Sequence, residues 1–265
     1  MDRGSRMLMW ACTLVMTPVA GCNGQLTPQA KELLTRATAS LSRGDYAATV
    51  KDMDRFLREH GGSRQVGRAY YLRGKARLGL KDLAGGSGDL DESLEYSKDA
   101  DVRVNAMLAL GDLAFEADDL AVAQEMYSGA ISQSRAGKAP RDHAHYRLGC
   151  VYQRLGKWHQ ADRQFHQVVE YFGGTELARR ADRRVNAVAW TVQVGAFSGK
   201  GRADALAGRL RDREQAADVI PIISAGQALF VVVVGCYDTH READEALVRI
   251  KRFQVDAYVT VRTMR

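Results

Sequence analysis

Hydrophobic and polar positions follow two different periods along this chain, and the change falls close to Trp190. From Thr27 to about Ala187 apolar residues recur at helical spacing and proline is almost absent. Thr27 followed by Pro28 suits a helix N-cap with a first-turn proline. After Trp190 the pattern alternates. Trp190–Val194, Asp218–Ile223, Leu229–Val234 and Tyr258–Arg262 read as strands. Lys200–Glu214 and Arg241–Phe253 read as amphipathic helices, with Ala203, Leu206, Ala207 and Leu210 inward in the first and Ala243, Ala246, Leu247 and Ile250 inward in the second. The order is βαββαβ, a split βαβ sheet with helices on one face, and Pro221 puts the second strand at an edge or beside a bulge.

The alternating region says one thing twice. Val192-Gln193-Val194-Gly195-Ala196-Phe197 returns as Val232-Val233-Val234-Gly235-Cys236-Tyr237. Each copy reads as a strand running into a glycine turn with an aromatic, followed by a charged amphipathic stretch. Alternation directs Val192, Val194, Val232, Val234, Val259 and Val261 to the helices. It leaves Thr191, Gln193, Val231, Val233, Tyr258, Thr260 and Arg262 on the open face.

The helical region also repeats. Leu110-Gly111 recurs as Leu148-Gly149, Ala123 as Ala161, Tyr127 as Phe165 and Ala130 as Val168, all 38 residues apart. Two weaker copies lie upstream. One is centred on a turn at Gly44-Asp45-Tyr46, with Thr49 where alanine is expected. The other starts at Tyr70–Gly74, and its glycine-rich Ala84-Gly85-Gly86-Ser87-Gly88 reads as a flexible loop. A helix near Glu176–Val188 caps the stack with Leu177, Ala181 and Val185 inward. Its Arg179, Arg180, Arg183 and Arg184 then form a solvated face. This pattern resembles the tetratricopeptide repeat, a helix-turn-helix of about 34 residues. The resemblance implies a groove that holds peptides or partner proteins. The stack also reads as a spacer carrying the C-terminal region away from a membrane, and the residues leave both readings open.

The region from Trp190 onward resembles the SPOR domain. The residues that carry the resemblance are Val192–Phe197, the alanine-rich first helix, Val232–Tyr237, the following Glu242–Leu247 segment and the final Ala257–Arg262 strand. The family binds bacterial peptidoglycan, specifically glycan strands stripped of their peptide stems, and is not known for catalysis. A sugar polymer needs amide and hydroxyl partners and a flat apolar surface. The resemblance therefore implies a binding face of Thr191, Gln193, Phe197, Val231, Val233, Tyr258, Thr260 and Arg262. Val231 and Val233 depart from the polar residues that the family often carries on its third strand, and they read as an apolar stripe on an uncovered face.

The N-terminal residues read separately. Arg3 and Arg6 precede a short apolar run, Met7–Met16, and Val19-Ala20-Gly21-Cys22 resembles the lipobox of bacterial lipoproteins. That resemblance implies a signal peptide over 1–21, a lipidated linker over 22–29 with diacylglycerol on Cys22, and, through Asn23, the outer membrane. The remaining assignment is repeats over 30–188 and the SPOR domain over 189–265. An exported chain excludes nucleic acid as the partner of its +6 charge, which leaves anionic envelope material. Cys150 and Cys236 lack paired or metal-ligand spacing and read as small apolar side chains. His143, His145, His159 and His166 read as surface residues rather than a metal site. No cofactor is implied. No nucleophile with a base motif is present, so the expectation is a non-catalytic envelope lipoprotein that binds glycan and recruits partners. The competing reading is an assembly adaptor in which the sheet has become a protein interface.

Overall fold

A computed structural model of the chain describes residues 26–135, 140–224 and 226–263. The signal peptide and the Cys22 lipidation site lie outside these residues. Four antiparallel helix pairs form the first part: α1 (Pro28–Ser42) with α2 (Tyr46–His60), α3 (Val66–Gly79) with α4 (Leu83–Tyr96), α5 (Ala100–Glu116) with α6 (Leu120–Gln133), and α7 (Arg141–Arg154) with α8 (Trp158–Tyr171). A short α9 (Glu176–Asp182) closes the stack, burying Ala178 and Ala181. The second part is β1 (Ala187–Phe197), α10 (Lys200–Arg211), β2 (Ala217–Ser224), β3 (Gln227–Tyr237), α11 (His240–Ile250) and β4 (Tyr258–Thr263). This is a helical repeat solenoid followed by a small α+β domain.

The repeat is more regular than its sequence. In every pair the turn places one residue at positive φ: Gly44, Lys81, Asp118 and Gly156. In the first three pairs an aspartate follows and caps the next helix, with Asp45, Asp82 and Asp119 accepting from the backbone N–H of Ala48, Gly85 and Val122. Tyr127 and Phe165 are fully buried, their rings lying against Gly111 and Gly149. The earlier pairs put Met53 and Leu90 at the matching depth, and both are also fully buried. Beside these sit Arg36 with Asp52 (2.6 Å) and Arg73 with Asp89 (2.7 Å).

The glycine-rich segment Ala84–Gly88 is not a loop. It is the first half of α4. A Cβ on Gly86 would lie 2.4 Å from Leu78 Cδ2, and one on Gly74 would lie 3.0 Å from the Gly86 carbonyl. These glycines let α3 and α4 approach closely, which outweighs their poor helix propensity. The surface expectation also fails for His145. It is buried at 7% exposure, with Nδ1 2.8 Å from Gln164 Oε1. His143 is half-buried, whereas His159 and His166 are exposed.

Candidate functional site

The sheet order is β2-β3-β1-β4, all antiparallel. The helices α10 and α11 cover one face. Val192, Val194, Val232, Val234 and Ala217 pack there with Leu206, Leu210, Ala246 and Ile250. Two irregularities re-phase β1 against β3, one between Trp190 and Val192 and one between Gln193 and Gly195. They coincide with the repeated glycines. A Cβ on Gly195 would lie 2.8 Å from the Phe197 ring, and one on Gly235, at φ +72, would lie 2.4 Å from the Tyr237 ring. The duplicated motif thus lets an aromatic two residues on fold back over a bare backbone. Both aromatics then pack against the helix-side core.

This corrects the placement of Phe197, which the sequence put in the binding face. The bulge turns its ring to the helix side, paired with Phe230 and 6.0 Å below the Arg202 guanidinium. Thr191 also differs from expectation. It is 1% exposed, and its hydroxyl is held by the carbonyls of Gly235 (2.8 Å) and Val234 (3.1 Å). It stabilises the bulge and has no donor left for a sugar. Val231 and Val233 lie opposite the helix face but do not form an uncovered stripe. They are 5% and 3% exposed. Val233 is flanked in register by Gln193 and Asp218, and Val231 by Ala196 and Ile220. Longer neighbours on both sides of Val233, and Ile220 on one side of Val231, make these short β-branched residues the floor of the face.

The remaining residues stay together. Gln193 pairs in register with Tyr258, Thr191 with Thr260 and Ala189 with Arg262. Tyr258 is 50% exposed, and Gln193, Thr260 and Arg262 are partly exposed. Sequence reasoning missed five contributors: Asp218, Cys236, Ile220, Ile222 and Leu229. Asp218 on β2 takes a 2.9 Å ion pair from Arg262 Nη1 on β4, which spans the whole sheet, and Cys236 Sγ lies 3.1 Å from the same nitrogen. Three strand spacings are about 14 Å, so both side chains are drawn out across β1 and β3. The hydrogen bond to Asp218 raises the Arg262 pKa above its ordinary value, with burial opposing it and Cys236 adding to it. Cys236 is free and exposed, not a packed apolar side chain. Ile220, Ile222 and Leu229 form an apolar end to the same face, Ile222 being 40% exposed. Strand parity from Asp218 signals the two isoleucines. Nothing local signals an edge-to-edge ion pair.

The sheet is fastened to the solenoid at the start of β1. The Trp190 ring packs 4.6 Å edge-on against His240 and 6.0 Å from Trp158. His240 Nδ1 lies 2.7 Å from Asp244, and burial lowers its pKa below the usual imidazole value despite the nearby Asp244. A cleft of about 560 Å³ opens beside it, lined by Asp118, Arg154, Thr239, His240 and Asp244. Among the described residues no group of three or more His, Cys, Asp or Glu could hold a metal ion. Among the same residues no helix is long and apolar enough to cross a membrane.

Residues 186–260 match the family model of the SPOR domain, and residues 143–175 match a tetratricopeptide repeat model. No curated protein matches the chain in sequence. Among solved structures the chain is similar to a tetratricopeptide repeat protein from Parabacteroides merdae. The identity is 13%, with 71% of this chain and 68% of that chain covered and a TM-score of 0.51. It is also similar to MamA at 19% identity, 54% and 78% coverage and a TM-score of 0.46. These two modules are typically non-catalytic binding domains, the first implying peptidoglycan binding and a cell-envelope protein, the second protein interactions. The chain carries a tetratricopeptide-repeat-like helical solenoid followed by a SPOR domain.

Proposed function

We propose that this protein is a non-catalytic envelope lipoprotein that binds stem-free glycan strands through the open face of its sheet and recruits partner proteins through its helical repeats. The observation that carries the glycan reading is the row of Gln193, Tyr258 and Thr260 beside a flat apolar end of Ile220, Ile222 and Leu229, opposite the helices. Hydroxyl and amide groups suit the hydroxyls and N-acetyl groups of a sugar, and the apolar end and the Tyr258 ring suit its C–H faces. In this reading the anchor is a diacylglycerol on Cys22 after cleavage at Val19-Ala20-Gly21, Asn23 supports the periplasmic side of the outer membrane, and a preference for stem-free glycan supports a role at sites of division. The domain assignment 22–29 linker, 30–188 repeats and 189–265 SPOR domain belongs to the same proposal.

The test of the glycan reading is retention of the full chain on purified peptidoglycan, with Gln193→Ala and Tyr258→Ala as the variants. Reduced retention supports the open face. Unchanged retention in both removes it from the site. The adaptor reading draws on β2, an edge strand whose Ile223 is 83% exposed. Crosslinking in cells that recovers proteins through β2 and no glycan favours that reading.

A further inference from the structure

Resting on the glycan reading above, we infer that Arg262 is a carboxylate-binding position that recognises the free lactyl carboxylate of stem-free muramyl residues. Arg262 lies two residues beyond the stretch matched to the family model. Its guanidinium is stretched across the open face, and among the described residues Asp218 and Cys236 engage Nη1 alone. Among the described residues, Nε and Nη2 have no hydrogen-bond partner. Those two nitrogens form the edge that meets a carboxylate with two parallel hydrogen bonds. The side chain is 30% exposed, so this edge is reachable, and partial burial makes it a stronger site than a free surface arginine. Asp218 is the positioning residue: it fixes the guanidinium over the strands and leaves the outer edge open.

The rest of the face places the ligand. Thr260 is the next same-face residue of β4, and Tyr258 follows it, with Gln193 beside Tyr258. Same-face residues stand about 6.6 Å apart along a strand. A glycan crossing the open face from Tyr258 and Thr260 on β4 toward the guanidinium held beside Cys236 and Asp218 therefore meets hydroxyl and amide groups first and a cation beyond them.

The chemistry of stem removal makes this position selective. In an intact strand the lactyl carboxyl is tied up as the amide to the first stem residue. Hydrolysis of that amide breaks the C–N bond, adds water, and leaves a carboxylate on the sugar and an amine on the released peptide. A stripped strand thus differs from an intact one by a new negative charge on each muramyl residue, as well as by lost bulk. Arg262 answers the charge.

The experiment titrates the full chain with three glycan preparations: amidase-stripped strands, the same strands with their carboxylates converted to methylamides, and intact strands. Wild type is expected to bind the free-acid strands at least about tenfold more tightly than the methylamides, the scale of a charge-assisted pair. Arg262→Gln, whose melting curve shows that it is folded, is expected to lose that discrimination, its affinity for the free-acid strands falling to that for the methylamides. Arg262→Lys, which keeps the charge and loses the fork, recovers part of it. Equal wild-type affinity for free-acid and methylamide strands overturns the inference and leaves the glycan reading standing. Full discrimination retained in Arg262→Gln does the same. Intact strands bound as tightly as free-acid ones, with Arg262→Gln weakening both, assign the arginine to stem carboxylates and overturn it. Absence of wild-type binding to all three overturns the glycan reading as well.

Discussion

The indole Nε1 of Trp190 donates to the backbone carbonyl of Gln153 at 2.9 Å, joining the first strand of the sheet to the last full repeat of the solenoid. Gln153 is fully buried. Its side chain donates to the Arg184 carbonyl (3.2 Å) and accepts from Arg184 Nη1 (2.7 Å). One residue of α7 thus ties together the cap, the strand that follows it and the repeat itself.

Trp190→Ala is expected to destabilise the junction by about 3–5 kcal/mol, the range for a buried aromatic. Trp190→Phe, which keeps a ring but leaves the Gln153 carbonyl unpaired, is expected to cost about 1–3 kcal/mol. Denaturant unfolding of the full chain followed by sheet and helix signals separately checks this. Trp190→Ala should separate the two transitions. Coincident, unshifted transitions would show that the junction carries no coupling.

Stability is expected to fall on mild acidification. Burial holds the pKa values of His145, His143 and His240 below the ordinary imidazole value. The folded chain keeps these rings neutral, while the unfolded chain takes up protons as pH drops through about 6.5. The unfolded state binds more protons in that window, so folding stability declines there and levels off below the folded-state pKa values. Denaturation midpoints at pH 7.5 and at stepwise lower pH measure the slope, and His145→Gln should flatten part of it. A midpoint independent of pH contradicts this account of the three rings.

Gly86 and Gly88 give opposite expectations within three residues. Gly86→Val forces atoms against Leu78 and is expected to cost about 1–3 kcal/mol. Gly88→Ala meets nothing within 4 Å and sits in a helix, so it is expected to stabilise by about 0.5–1 kcal/mol. Thermal or denaturant melts of the two variants decide it. Two neutral substitutions would mean that the segment is a loop after all.

Phe197→Ala and Tyr258→Ala separate packing from binding. Phe197 lies against the helix-side core, so its loss should lower stability and leave glycan affinity per folded molecule unchanged. Tyr258 is half exposed on the opposite face, so its loss should lower affinity with little change in stability. Melting curves and glycan titrations of both variants check the pair, and the reverse pattern would place the ligand on the other face.

Periodicity in the chain made the fold legible because both periods are enforced by burial. The 38-residue offset of Tyr127 and Phe165 and the alternation of Val192, Val194, Val232 and Val234 all face cores. Glycine misled in α4 because composition alone does not tell a flexible segment from a close helix contact. The site was legible only in part. Simple alternation gives the face of Gln193, Tyr258, Thr260 and Thr191, but it fails at Phe197, where a bulge shifts the register, and it does not reveal that Thr191 is buried with its hydroxyl taken by backbone carbonyls. Asp218 and Arg262 stand 44 residues apart on opposite edges, and only the assembled sheet brings them together.

The most direct measurement is co-sedimentation of the full chain with purified peptidoglycan before and after amidase treatment. Greater retention is expected once the stems are removed, with loss of that retention in a Gln193→Ala, Tyr258→Ala double variant. Retention that falls after stem removal, or no retention in either state, would contradict it.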